Sequence, residues 1–190
     1  MDAGQVARYA RQIALPEIGP DGQAAICGAR VLIVGGDLAA ETARTYLAAA
    51  GIGDVRTRAT TVGDGAAWLE ALDGVDLVVR TDFDDDAMLG AAARLGVPVV
   101  VARAEPDRVD LLAFPRRPPD PEAELDIRAR SAARRPDSGA TGVLAGALAA
   151  AEALAALVRD DAAASARRKR HLRLPVDGGD AIAQDIGGRL

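Results

Sequence analysis

The sequence predicts a doubly wound α/β fold, in which a mostly parallel sheet carries helices on both faces. Three observations predict it. Short apolar runs of strand length recur between residues 30 and 114, and helical segments of about a dozen residues separate them. The first apolar run has no polar interruption, which is typical of a strand buried on both faces. Strands and helices that alternate in this way build a sheet through right-handed crossovers, so a Rossmann-like architecture follows.

The amino-terminal segment is predicted to form a helical arm in front of the sheet. The stretch from Arg8 to Ile18 is amphipathic, and Pro16 ends the helical pattern. A second short helix is predicted from Gly22 to Cys27. Residues 1–29 are therefore assigned to the arm.

A strand, a tight turn and a helix follow the arm. Arg30–Val34 is the continuous apolar strand, and Gly35-Gly36 predicts the turn. Asp37 is a favourable N-cap for a helix over Leu38–Ala50, because its side chain can accept a hydrogen bond from a backbone N–H of the first turn. Gly51 is expected to end that helix.

The remaining elements repeat this alternation. Strands are predicted over 54–60, 75–79, 97–103 and 107–114, and helices over 65–72 and 84–95. Residues 115–138 are rich in proline and charge, which predicts a mobile loop or crossover. A helix over 141–158 is apolar nearly all round and is expected to be buried. The α/β domain accordingly spans 30–160, and residues 161–190 form a basic tail with short strands.

Composition argues against several classes of function. A net charge of −5 and a pI near 4.9 do not suit a nucleic-acid binder or a membrane-surface binder. A single cysteine excludes a disulfide framework and a four-cysteine zinc site within the chain. The longest apolar run, residues 143–157, is short for a bilayer span, and the amino terminus has no apolar signal region. We therefore expect a cytoplasmic protein.

Three segments carry a resemblance to a known family. The first is Arg8-Tyr9-Ala10-Arg11-Gln12-Ile13 with the later pair Gly22-Gln23. The second runs without a gap from Arg30-Val31-Leu32-Ile33-Val34-Gly35 to Gly51-Ile52-Gly53. The third joins Val75-Asp76-Leu77-Val78-Val79, Thr81-Asp82 and Gly96-Val97-Pro98. In this order and spacing they are similar to the signature segments of the ThiF/MoeB/HesA family, the ubiquitin-activating-type enzymes that adenylate sulfur carriers.

The resemblance implies a nucleotide-binding fold that forms a two-fold dimer. It also implies an enzyme that uses ATP and magnesium to adenylate the C-terminal glycine of a ubiquitin-like carrier protein. Gly35 and Gly36 match the glycine-rich nucleotide turn, and Asp82 matches the aspartate that helps to hold magnesium. Arg11 matches an arginine that reaches into the partner subunit's ATP site, although it could equally be a residue of the dimer contact.

Several matching positions depart from the family pattern. Asp37 and Ala40 stand where the turn has its next glycines, and Ala59 stands where strand two ends in an acid for the ribose. A carboxylate about 4 Å from a phosphate costs roughly 4 kcal/mol at an effective dielectric of about 20. The segment that supplies asparagine, arginine and lysine contacts to the triphosphate is missing, and the only lysine is Lys169. The paired cysteines that hold the family's structural zinc are absent as well.

These departures predict a non-catalytic structural or regulatory subunit that needs no ATP, magnesium or zinc. It would pair with itself or with an active relative, and a ubiquitin-like sulfur carrier is a candidate partner. Asp82 is a weak magnesium candidate, because the acids beside it are equally suited to stabilise a helix start. Two alternatives remain open. One is a minimal ATP-dependent adenylyltransferase, and the other is a binding module for a small anionic ligand lined by Arg56, Arg58, Arg80 and Arg103.

Overall fold

The computed structural model describes residues 1–59, 65–81, 86–114, 139–158, 169–175 and 182–186. The helices are α1 (Ala3–Arg8), α2 (Ala10–Ile13), α3 (Gly19–Gly28), α4 (Leu38–Ala50), α5 (Gly65–Ala71), α6 (Asp86–Leu95) and α7 (Gly139–Val158). The strands are β1 (Arg30–Val34), β2 (Asp54–Arg58), β3 (Leu77–Arg80), β4 (Val99–Ala104), β5 (Arg108–Phe114), β6 (Lys169–Pro175) and β7 (Ile182–Ile186).

The described strands form one seven-stranded mixed sheet in the order β2-β1-β3-β4-β5-β6-β7. The first four strands of this order are parallel to one another, and the pairs from β4 to β7 are antiparallel. The predicted α/β sheet with an amino-terminal helical arm is therefore confirmed. The segment predicted as a tail contributes β6 and β7, which extend the same sheet rather than form a separate unit.

Helices cover both faces of the sheet, which explains the uninterrupted apolar run of β1. Val31 and Ile33 point into a core formed with α3, α4 and α7. Leu32 and Val34 point into a second core formed with α5 and α6, where Trp68 is fully buried. Successive strand residues face opposite sides, so a strand buried on both sides must be apolar throughout.

The arm differs from the amphipathic stretch predicted over Arg8–Ile18, because the helix inside that stretch covers only Ala10–Ile13 and another helix lies before it. The chain forms α1 and α2 with a break at Tyr9, whose backbone leaves the helical region at φ −100 and ψ 14. The break has a packing cause, because the buried Tyr9 ring lies against Gly51 at the end of α4. Gly51 has φ 99, which glycine adopts without strain, and a Cβ there would come within 2.5 Å of the ring.

The composition of the last helix, α7, predicts burial on every side, but one side of the helix is exposed. One face packs on α4 and the sheet through small residues, whereas Val143 and Leu144 are 43% and 37% exposed. By length and composition alone α7 would pass as a membrane-spanning helix, a property that core helices of folded domains share. At Gly146 the backbone of α7 lies so close to α4 that a Cβ would overlap the carbonyl oxygen of Ala39.

Candidate functional site

The turn between β1 and α4 lies at the carboxyl edge of the parallel strands. The Gly35 N–H donates to the carbonyl oxygen of Arg58 at 3.0 Å, which ties the turn to the end of β2. Asp37 is the N-cap of α4, and its Oδ1 accepts a hydrogen bond from the Ala40 N–H at 2.9 Å. The predicted cap is confirmed, so a carboxylate occupies the start of the helix, where a bound phosphate would be stabilised in a nucleotide-binding turn.

A second hydrogen bond to the Asp37 carboxylate comes from across the crevice. Thr81 directly follows β3, and its hydroxyl donates to Asp37 Oδ1 at 2.7 Å. The chain leaves β1 for α4 on one face of the sheet and leaves β3 for α6 on the other. Folds of this kind bind ligands at the crevice that such a reversal creates. The Thr81–Asp37 hydrogen bond therefore bridges the place where a nucleotide would enter.

The close contact between the turn and Thr81 requires glycine at position 35 but not at position 36. Gly35 has φ 144, and a Cβ on it would overlap the Thr81 hydroxyl, whereas a Cβ on Gly36 would meet open space. We expect Gly35→Ala to lower the free energy of unfolding by about 2 kcal/mol. Gly36→Ala, the matched control, should change it by less than about 0.5 kcal/mol. Equal urea unfolding curves for the two variants would contradict this account of the turn.

The end of β2 carries a guanidinium instead of the acid expected of a nucleotide site. Arg58 places its Cζ 4.4 Å from the centroid of the Trp68 ring. Ala59, which matches the family's acidic position, follows it and is exposed. Arg56 lies two residues earlier and pairs with Asp54 at 2.7 Å on the solvent side. Arg58 is therefore placed to act in the crevice, whereas Arg56 is not.

Two further arginines lie at the ends of neighbouring strands and are buried. Arg80 is 2% exposed and Arg103 is 8% exposed. Arg103 Nε lies 3.2 Å from Glu105 Oε1, and Glu105 also pairs with Arg108 across the turn between β4 and β5. Arg108 reaches Asp110 as well, at 3.2 Å. Because Arg103 and Arg108 share the Glu105 carboxylate, this group forms a structural ion-pair network at the turn after β4.

The other predicted site residues do not join the turn. Tyr9 holds the arm at the carboxyl end of α4, and the 13 residues of α4 separate that end from Asp37 by about 20 Å. The exposed Arg11, two residues after Tyr9, therefore cannot reach the turn of its own chain. Asp82 lies outside the described residues. Within the described part of the chain, no three side chains of the types His, Cys, Asp or Glu converge on a metal position.

Sequence reasoning missed Thr81 and the Arg58–Trp68 contact. Both depend on strands that pair far apart in sequence. The Thr81 N–H donates to the Val34 carbonyl at 3.0 Å, which continues the β1–β3 ladder beyond the last paired residues. The signal that could have identified Thr81 is the parallel pairing of β1 with β3. Parallel strands end at the same edge of a sheet, so Thr81 after β3 lies near the turn after β1.

Relatives with curated names match short parts of the chain, and no family model matches it. A segment of 55 residues is 42% identical to the SAMP-activating enzyme E1 of Haloferax volcanii, and covers 29% of this chain and 20% of that protein. A segment of 52 residues is 50% identical to the probable adenylyltransferase/sulfurtransferase MoeZ of Mycobacterium tuberculosis, and covers 27% of this chain and 13% of that protein. The matches thus span a fifth or less of these relatives' length.

Solved structures match nearly the whole chain. The selenomethionine structure of PaaA superimposes with a TM-score of 0.75 at 12% identity, covering 98% of this chain and 84% of that one. Escherichia coli MccB with ATP superimposes with a TM-score of 0.66 at 13% identity, covering 95% and 72%. Identities this low show the fold alone, and these neighbours have the ThiF/MoeB-type adenylyltransferase fold. With the two sequence matches to an activating enzyme and an adenylyltransferase, this chain has the fold of the ThiF/MoeB family.

Proposed function

We propose that this chain is a non-catalytic relative of the carrier-activating adenylyltransferases and serves as a structural or regulatory subunit. One observation carries the proposal: the Asp37 carboxylate caps α4 and is hydrogen-bonded to Thr81 across the crevice. The helix start is thus neutralised by a group of the chain itself. A phosphate would have to displace that carboxylate or lie beside it.

The energetics disfavour a phosphate at the start of α4, where the phosphates of ATP would lie. Two negative charges about 4 Å apart repel by roughly 4 kcal/mol at an effective dielectric of about 20. This corresponds to about a thousandfold in affinity. Moving Asp37 aside would break two hydrogen bonds and cost the cap, which is worth about 1 kcal/mol. Transfer of an adenylyl group also needs cations around the phosphates, and the segment between β2 and β3 has none of the expected lysines.

The arm supports the idea of a partner subunit. Helices α1 and α2 have no fully buried residue in this chain, and Tyr9 between them is buried against the end of α4. Exposed Val6 and Leu15 leave apolar surface that a second subunit would cover. In such a pair Arg11 would act in trans on the partner's site. We propose a homodimer, or a heterodimer with an active relative, in the cytoplasm, with a ubiquitin-like carrier as a further partner.

The alternative function is a minimal adenylyltransferase, which the names of the curated relatives favour. It would require cations other than those of the family to replace the missing contacts. Carrier-dependent exchange of pyrophosphate into ATP separates the two functions. Exchange above the background of a carrier-free reaction would overturn the non-catalytic assignment, and its absence with several carriers would support it.

Binding of ATP with magnesium, measured by calorimetry, tests the proposed function directly. The wild-type protein is expected to give no binding heat at millimolar ATP. Asp37→Asn keeps a side-chain acceptor for the cap but removes the charge, so it should bind ATP more tightly by up to about a thousandfold. Asp37→Gly should gain binding as well.

The matched control is Glu41→Gln, which removes a charge from the exposed first turn of α4 without touching the crevice. It should leave the calorimetric result unchanged. If wild-type protein binds ATP at micromolar concentration, the carboxylate of Asp37 does not block the site and the proposed function is wrong.

A further inference from the structure

Arg58 lies at the edge of the crevice, with its guanidinium over an aromatic ring. It is the half-buried last residue of β2, and its Cζ lies 4.4 Å from the ring centroid of the fully buried Trp68. Its carbonyl oxygen accepts the Gly35 N–H, so its backbone touches the turn that precedes α4. A cation held on an aromatic face loses little further conformational freedom when it binds a ligand.

The guanidinium of Arg58 has no acidic partner among the described residues. Arg56 on the same strand differs in this respect, because it pairs with Asp54. A guanidinium that lies over a ring carries N–H donors along its edge. These donors match the oxygens of a carboxylate or phosphate.

The charges in the crevice are reversed relative to a nucleotide site of the usual kind. In such folds the phosphate lies at the start of the helix after β1, and an acid at the end of β2 binds the ribose hydroxyls. Here the acid, Asp37, is at the helix start, and a cation, Arg58, is at the end of β2. An arginine near that second position is suited to a phosphate on the 2′ side of the ribose.

We propose that the crevice binds a nucleotide that carries its phosphate on the ribose 2′ hydroxyl, with Arg58 as the phosphate ligand. Asp37 supplies the selectivity, because it repels a phosphate on the 5′ side. The proposal rests on the proposed function only in that Asp37 must keep the helix start free of phosphate. The bound nucleoside would occupy the β1–β2 side of the crevice, away from the Thr81–Asp37 bridge.

Fluorescence of Trp68 provides the readout, because Trp68 is the only tryptophan in the chain and contacts Arg58. Adenosine 2′-monophosphate should change this fluorescence saturably, with a dissociation constant at least about tenfold lower than that of adenosine 5′-monophosphate. Arg58→Gln should weaken binding of the 2′ nucleotide by at least about tenfold, with calorimetry as a second measurement because the variant also alters the tryptophan's surroundings. Arg56→Gln removes an equal charge from the same strand and should leave the affinity unchanged.

Three outcomes would overturn the proposal. They are no saturable response to the 2′ nucleotide, the same affinity in Arg58→Gln as in wild type, and an affinity for inorganic phosphate equal to that for the nucleotide. The first two reject Arg58 as the ligand, and the third rejects a nucleoside. None of them bears on ATP binding, which tests the proposed function separately. Equal binding of the 2′ and 5′ nucleotides would reject the selectivity assigned to Asp37, and the calorimetry with ATP would then show whether the proposed function fails as well.

Discussion

Replacement of Gly146 by alanine is expected to lower the free energy of unfolding by about 3 kcal/mol. A Cβ at this position would overlap the Ala39 carbonyl oxygen and lie 2.6 Å from the Thr42 Cβ and 3.0 Å from the Ala43 N. Most of these atoms belong to the backbone of α4 and cannot rotate away. The two helices would have to separate, and the small-residue contact that buries α7 against α4 would loosen along its length.

The same substitution at Gly90 is the matched control, and it is expected to change the free energy of unfolding in the opposite direction. Gly90 lies inside α6, is exposed, and a Cβ there would meet nothing within 4 Å. Gly90→Ala should raise the free energy of unfolding by about 0.5–1 kcal/mol, because alanine loses less conformational entropy in a helix. Urea unfolding followed by circular dichroism measures both variants. A Gly146→Ala protein as stable as wild type would mean that α4 and α7 are not in this close contact.

Replacement of Glu105 by glutamine is the second change with a large expected effect, a loss of about 3 kcal/mol. The side chain of Glu105 is 10% exposed and joins Arg103, whose side chain is 9% exposed, to Arg108. Glutamine has the same shape but no charge. The guanidinium groups of Arg103 and Arg108 would lose their shared negative charge in a place that water reaches poorly. The cost of desolvating these cations would then lower the stability of the folded state.

Asp107→Asn is the matched control for the charge at Glu105. Asp107 also contacts Arg108, at 3.6 Å, but its side chain is 65% exposed. Water screens an exposed pair of this kind, so the expected loss is less than about 0.5 kcal/mol. Thermal and urea unfolding of both variants measures the difference. If the two variants lose equal stability, the network around Glu105 is not the buried structural element described above.

The parallel half of the fold could be predicted because its signals are local. The apolar run of β1, the cap at Asp37 and the glycine that ends α4 each depend on residues close in sequence. The antiparallel half of the sheet was harder to predict from the sequence. The order β4-β5-β6-β7 depends on pairings between distant segments, and β6 and β7 were expected only as short strands of a tail. Propensity indicates a strand but does not identify its neighbour.

The exposed side of α7 and the contacts in the candidate site could not be predicted for the same reason. Both depend on which distant segment of the chain packs against them. The composition of α7 showed that every face is apolar, but not which face is covered, so the exposure of Val143 was not foreseen. Asp37 could be identified as unfavourable for phosphate because its position at the helix start is fixed by sequence. The roles of Thr81 and Arg58 could not, because each depends on the partner that the sheet brings next to it, Asp37 for one and Trp68 for the other.

The position of β2 at one edge of the described sheet has a consequence for solubility. Its backbone there is open to pairing with another chain, and open edges of this kind promote aggregation. The strand carries charge at alternate residues, and the side chains of Asp54 and Arg56 are 38% and 59% exposed. An incoming strand would have to desolvate these charges, so growth of the sheet beyond β2 is disfavoured. Concentrated protein should therefore resist fibril formation at this edge, and self-association should instead use the apolar helical surfaces.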